Sequence, residues 1–109
     1  MKKLFFVISL VIVTSSLSAA IYKGHMVYVK QCSKCHVHGE SFLKSKTIKE
    51  WGFLVSNNGK PLRDIHIKSP KAKASVEYFN SKKYTKKLRH LREFLKEYAK
   101  DSGKIPAFN

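Results

Sequence analysis

The sequence predicts an all-α fold of four or five short helices, and three observations lead to that prediction. No stretch of the chain alternates apolar and polar residues as a half-buried β-strand does. A capping motif at residues 47–50 marks the start of a helix in the middle of the chain. Near the C-terminus, apolar residues recur at spacings of three and four, which is the pattern of one buried helix face.

The first 20 residues have the pattern of a secretory signal peptide. Lys2 and Lys3 give a charged start, residues 4–13 form an almost unbroken apolar run, and small residues precede a cleavage site after Ala20. The apolar run is about half the roughly 20 residues that span a bilayer, which favours cleavage over retention as an anchor. We therefore expect residues 21–109 to form a single domain exported to the periplasm.

Two segments in the middle of the chain carry helix-start signals, and a turn separates them. Thr47 and Glu50 have the spacing of a capping box, which predicts a short helix that carries Trp51. Residues 57–61, NNGKP, predict a turn. Residues 69–70, a serine followed by a proline, predict a helix cap with proline at the first helical position.

The longest predicted helix runs from Thr85 to Gly103. Thr85 can cap its start, and Gly103 can end it in a left-handed conformation. Its apolar face consists of Leu88, Leu91, Phe94, Leu95, Tyr98 and Ala99.

The chain is strongly basic, with 22 lysines and arginines against 7 acidic residues. Loss of Lys2 and Lys3 with the signal leaves 20 basic against 7 acidic residues, a formal charge of +13. Because an exported protein rarely meets nucleic acid and the lysines are scattered along the chain, we expect no nucleic-acid partner. Acidic protein surfaces, or an anionic membrane surface, fit this charge better.

The two cysteines of the chain, Cys32 and Cys35, stand three positions apart, and His36 follows directly. A disulfide between them would close a very short loop and add little stability. A catalytic dithiol would need a preceding strand and an α/β fold, and the sequence predicts neither. A zinc site would need further ligands from the histidines, but the second pair of closely spaced ligands that zinc sites usually have is missing.

The spacing Cys-x-x-Cys-His is the attachment pattern of a c-type haem. The two thiols form thioethers with the porphyrin, and the histidine becomes the proximal ligand of the iron. Attachment takes place after export, which agrees with the signal peptide. A domain of 89 residues buries only a modest core, and a haem would supply much of what it lacks. We therefore predict one covalent haem c, held by Cys32 and Cys35, with His36 on the iron.

Residues 24–28, GHMVY, followed by residues 32–36, CSKCH, resemble the start of small class I c-type cytochromes. In that family a short helix with a glycine and an aromatic residue precedes the attachment site, as Gly24 and Tyr28 do here. The segment LREFLKEYA resembles the family's terminal helix, which packs across the N-terminal helix at the haem edge. The resemblance implies a cytochrome c-like bundle around one haem in residues 21–109.

The distal side of the iron departs from the family pattern. Class I cytochromes usually supply a methionine from a loop well after the motif, and this chain has none there. Its methionines are Met1, which would be lost with the signal, and Met26, which precedes the motif. The sixth position is therefore either open or filled by another residue.

Among the histidines, His66 is the candidate distal ligand by elimination. His38 lies two residues from His36, too close to pass around the porphyrin edge. His25 precedes the motif, and His90 lies to the side of the apolar stripe of the last helix. Ligation by a lysine stays open.

These observations predict an exported monohaem cytochrome that carries single electrons between redox proteins, whose partners present acidic docking surfaces. We do not expect an enzyme, because the sequence shows no acid pair, activated nucleophile or glycine-rich phosphate loop. Two alternatives stay open. One is a haem-based ligand binder or sensor with five-coordinate iron, and the other is a zinc or thiol redox protein.

Overall fold

The computed structural model describes residues 13–106, with side chains from residue 19 onward. No strand occurs among these residues, which confirms the all-α prediction. A π-helical turn, Tyr28–Cys32, continues the first helix, and a 3₁₀-helix, Pro70–Ser75, lies between the fourth and fifth. The α-helices are α1 (Val13–Val27), α2 (Gly39–Leu43), α3 (Ile48–Leu54), α4 (Ser56–Lys68), α5 (Val76–Phe79), α6 (Lys82–Lys86) and α7 (Leu88–Glu97).

The described residues thus form seven α-helices, where the sequence predicted four or five. Helices α2 and α4 were not predicted, and the predicted last helix is divided at Lys87 between α6 and α7. Helix α5 lies in the segment for which residues 69–70 predicted a helix. Helix α2 has only five residues, too few to show a periodic pattern, and the first residues of α4 are those that the sequence predicted as a turn. Pro70 also begins a 3₁₀-helix rather than an α-helix, and Ser69 makes no side-chain capping bond.

The predicted cleavage site after Ala20 lies inside α1, and residues 1–12 of the predicted signal lie outside the described part of the chain. Ile21 packs against the core, and Val27 and Tyr28 are buried in it. All three follow Ala20, so cleavage at the predicted position would keep this packing. None of the helices among the described residues is long and apolar enough to cross a membrane.

Helices α1 and α7 form the most extensive helix pair in the described part of the chain. They meet at Gly24, where a β-carbon would lie 2.0 Å from the carbonyl oxygen of His90 and 2.7 Å from the β-carbon of Phe94. Glycine therefore lets the two backbones touch. The resemblance implied that the terminal helix packs against the N-terminal one, and α1 and α7 are in contact here.

We expect Gly24→Ala to destabilise the fold by about 1–3 kcal/mol or more, because the methyl group would overlap the backbone of α7. The control is Gly52→Ala, a second glycine inside a helix, where a β-carbon meets nothing within 4 Å. That change should be neutral or stabilise by up to about 1 kcal/mol, since alanine favours helix. Denaturant unfolding followed by circular dichroism measures both, and equal stabilities of the two variants would contradict the close approach at Gly24.

The predicted capping box is confirmed at the start of α3. The Thr47 hydroxyl accepts from the N–H of Glu50, and the Glu50 carboxylate accepts from the N–H of Thr47, both at 3.1 Å. Asp101 accepts from the N–H of Ile48 at 2.8 Å and ties the C-terminal segment to this helix. These bonds hold Trp51 in the core, where its indole N–H donates to the carbonyl of Leu43 at 2.9 Å.

The predicted limits of the last helix were wrong, although its apolar face is confirmed. Thr85 lies inside α6, and the chain leaves helical geometry at Lys87 before α7 begins. Helix α7 ends at Glu97, and beyond it the N–H of Lys100 donates to the carbonyl of Lys46 at 2.9 Å instead of continuing the helix. Gly103 has a positive φ of 73°, but it lies beyond the helix end.

A single apolar core joins the helices. It is formed by Val27, Tyr28, Leu43, Trp51, Val55, Phe79, Tyr84, Leu88, Leu91, Phe94, Leu95 and Ala99.

Candidate functional site

A cavity of about 400 Å³ opens beside this core, within the range of small-molecule and cofactor sites. Cys32, Cys35 and His36 line it, and His66 lines it as well. Its larger apolar lining residues are Phe42, Trp51, Leu54, Leu62, Ile65, Tyr78, Phe79, Leu91 and Leu95. The structure therefore brings the four sequence-predicted site residues to one apolar cavity.

The π-helical turn and the helical turn after it present the cysteine motif to the cavity. The N–H of Ser33 donates to the carbonyl of Tyr28 at 3.0 Å, which is the wide bonding pattern of a π-helix. The N–H of His36 then donates to the carbonyl of Cys32 at 2.9 Å. This turn puts the two cysteines and the histidine on the same wall.

The two thiols are free and differ in exposure. Cys32 is partly buried and Cys35 is exposed, and neither forms a disulfide. Burial raises the pKa of Cys32 to about 12, which favours the neutral thiol of this cysteine. A catalytic dithiol would therefore have to use Cys35 as its nucleophile, because the thiolate is the reactive form.

His36 lies against an aromatic ring that the sequence did not single out. Its imidazole stacks on Phe42 with the ring centroids 3.9 Å apart. Burial, and then the nearby His66, lower the pKa of His36, which favours the neutral imidazole. The neutral ring is the form that ligates metals.

His66 is held by α4 and has one ring nitrogen committed to the backbone. Its Nδ1 lies 2.7 Å from the carbonyl oxygen of Leu62. Because a carbonyl can only accept, Nδ1 must donate, and the neutral ring keeps its lone pair on Nε2. Histidines that ligate metals are usually oriented by such a bond from the other nitrogen. The ring also stacks on Phe79, with the centroids 4.2 Å apart.

A turn interrupts the helical geometry near the start of α4. Asn57, Asn58 and Gly59 all have positive φ, so the predicted turn is confirmed. The Tyr84 hydroxyl donates to the carbonyl of Gly59 at 2.6 Å and fixes the turn to α6. A β-carbon on Gly59 would lie 2.1 Å from that hydroxyl oxygen, so glycine is required there.

The imidazoles of His36 and His66 lie in contact with each other at the cavity. Their ring centroids are 6.2 Å apart and the ring planes are nearly perpendicular, an edge-to-face arrangement. The structure therefore places the two imidazoles side by side at the same cavity.

The other ligand candidates lie outside the cavity lining. His25 stacks on Phe94, between α1 and α7. His38 is exposed before α2, and Met26 is exposed on a different groove. Two lysines, Lys46 and Lys71, do line the cavity. Lysine therefore remains the alternative distal ligand.

Within residues 13–106, no group of three or more histidine, cysteine, aspartate or glutamate side chains is placed to hold a metal ion. A structural zinc site needs four protein ligands, so the zinc alternative lacks its ligand set in this part of the chain. A haem brings four nitrogens of its own and asks the protein only for axial ligands.

Several residues that build the cavity carried no signal in the sequence. Phe42 stacks on His36 and Phe79 stacks on His66. In the sequence, each of these two residues looks like an ordinary aromatic residue of the core. The π-helical turn also had no sequence signal.

Comparison of the chain with protein-family models, curated proteins and solved structures finds no match.

Proposed function

We propose that the protein is an exported c-type cytochrome that carries single electrons through one covalently attached haem. The observation that carries this proposal is the convergence of the whole attachment motif and His66 on one apolar cavity. No catalytic activity is proposed. The predicted signal peptide supports attachment in the periplasm, on the far side of the membrane.

The residues around the cavity fit a haem, and each has a distinct task. Cys32 and Cys35 would hold the porphyrin through thioethers, and His36 would ligate the iron. When bound, the haem supplies an iron that accepts and releases single electrons. The bond from His66 to the carbonyl of Leu62 keeps its Nε2 available as the second axial ligand.

The apolar lining has its own effect on the redox chemistry. Leucine and aromatic side chains exclude water, and burial is one of the levers that set a haem potential. A pair of imidazoles gives a lower potential than the histidine and methionine pair of typical class I cytochromes. Two imidazole ligands would therefore set the potential below that of a histidine and methionine pair in an equally buried site.

The alternative of a five-coordinate binder rests on the missing downstream methionine. The presence of His66 at the same cavity as His36 supports a second protein ligand to the iron instead. The two hypotheses differ in one measurement. Reduced wild-type protein that binds carbon monoxide readily would favour the open site, and a spectrum unchanged by the gas would favour two axial ligands.

We expect the protein, produced with a working haem-attachment system, to have the mass of residues 21–109 plus one haem. The haem should stay on the polypeptide in denaturing electrophoresis, because thioethers survive unfolding. Mass spectrometry and haem staining measure this, and the mass also locates the cleavage site. A purified chain at its bare polypeptide mass would overturn the proposal.

A further inference from the structure

A second groove, of about 560 Å³, lies between α1 and α6. One wall comes from α1 and its π-helical turn, and the other comes from α6 and the residue after it. Five of its ten lining residues are lysines, and none is acidic. The lysines that define this lysine groove are Lys23, Lys30, Lys83, Lys86 and Lys87.

The charges of the lysine groove are not neutralised by the protein itself. All five lysines are exposed. The ion pairs among the described residues join Lys60 and Arg63 to Asp64, and Lys104 to Glu97, so none includes a groove lysine. A concave surface lined by one sign of charge focuses its field and attracts ions of the opposite sign.

The positive charges of the groove also act on His90, which follows the groove along the chain. Burial lowers the pKa of His90, and the charges of Arg89, Lys23 and Lys87 lower it further. Lys23 of α1 and Lys87 after α6 thus act together on one ring. The two walls of the groove contribute to a common field.

Apolar surface lies between these charges. Met26 is 38% exposed and Tyr22 is 64% exposed, and both line the groove. An apolar centre surrounded by polar and charged residues is the usual arrangement of a protein-protein interface. The groove therefore offers contact area as well as charge.

The lysine groove adjoins the cavity of the candidate site. Gln31 and Tyr78 line both. Gln31 also directly precedes Cys32 in the chain. A partner seated in the groove would therefore lie beside two residues of the cavity lining.

We propose that the lysine groove is the docking surface for an acidic segment of a protein partner. The acidic character of the partner is inferred from the groove alone. The further statement that the partner exchanges electrons with the protein rests on the proposed function. The groove is concave, so it suits a protruding segment, whereas a lipid surface is flat and would reach only its rims. The charge complementarity acts mainly on the rate of association.

A labelled oligoglutamate peptide tests the proposal by fluorescence anisotropy at low salt, with the full holoprotein. The double change Lys23→Glu and Lys86→Glu alters one lysine on each wall and should weaken binding about tenfold or more. The control changes Lys49→Glu and Lys73→Glu alter the net charge equally at exposed positions outside the groove. The control should weaken binding about twofold, through overall charge alone.

Equal losses of peptide affinity in the two double variants would overturn the proposal, because the net charge of the protein rather than the groove would then account for peptide binding. Vesicles of phosphatidylglycerol, compared with phosphatidylcholine, test the membrane alternative. Groove-dependent binding to the anionic vesicles without binding to the peptide would also overturn it. Spectroscopy measures the haem content and circular dichroism the fold of each sample used for binding. A folded protein that carries no haem but binds the peptide through the groove would contradict the cytochrome proposal and support this one. Failure of the cytochrome proposal would thus be recognised apart from failure of this one.

Discussion

Replacing both Cys32 and Cys35 by serine is expected to yield a chain without covalent haem and with little stable tertiary structure. The hydroxyls cannot form the thioethers that would hold the porphyrin. The cavity of about 400 Å³ would then lack its occupant. The apolar side chains that line it would then face water instead of a porphyrin. The total stability of a small domain is only about 5–15 kcal/mol, so this loss of burial is expected to be severe.

Haem staining after denaturing electrophoresis and thermal unfolding by circular dichroism measure the two effects. The matched control is Lys34→Ala, which changes an exposed residue between the cysteines that does not line the cavity. It should keep the haem and the wild-type melting temperature. Covalent haem in the double serine variant would show that attachment does not use this motif.

The parts of the fold that depend on neighbouring residues could be predicted from the sequence. The capping box at Thr47 and the turn around Gly59 involve groups that are close along the chain, so local patterns carry their signals. The apolar face of α7 was equally visible, because its spacing repeats. Its end at Glu97 was not, since the bond that draws the chain away joins Lys100 to Lys46.

The candidate site also has a part that could be predicted from local sequence and a part that could not. The cysteine motif is local, and its spacing alone predicted the attachment residues. His66 was reached only by elimination, because the contacts that orient its ring come from Leu62 and from Phe79 on another helix. The placement of Phe42 against His36 likewise depends on how α2 folds back over the motif. Such contacts between elements leave no periodic trace in the sequence.

The second large effect is expected for His66→Ala in the haem-loaded protein. Removal of the imidazole should leave the iron five-coordinate, because the four other histidines are His36, the proposed proximal ligand, and three that lie outside the cavity lining. We expect a change from low-spin to high-spin optical bands and new binding of carbon monoxide. His90→Ala is the control, since His90 does not line the cavity, and it should keep the wild-type spectrum.

His66→Met separates ligation from a merely structural role. A methionine at this position can restore a sixth ligand, and methionine ligation raises the reduction potential relative to two histidines. We therefore expect low-spin bands with a potential above that of the wild type, measured by redox titration. Low-spin bands that persist in His66→Ala would contradict ligation by His66. Lys46→Ala and Lys71→Ala would then be tested, because these two lysines line the same cavity and an amine is able to ligate iron.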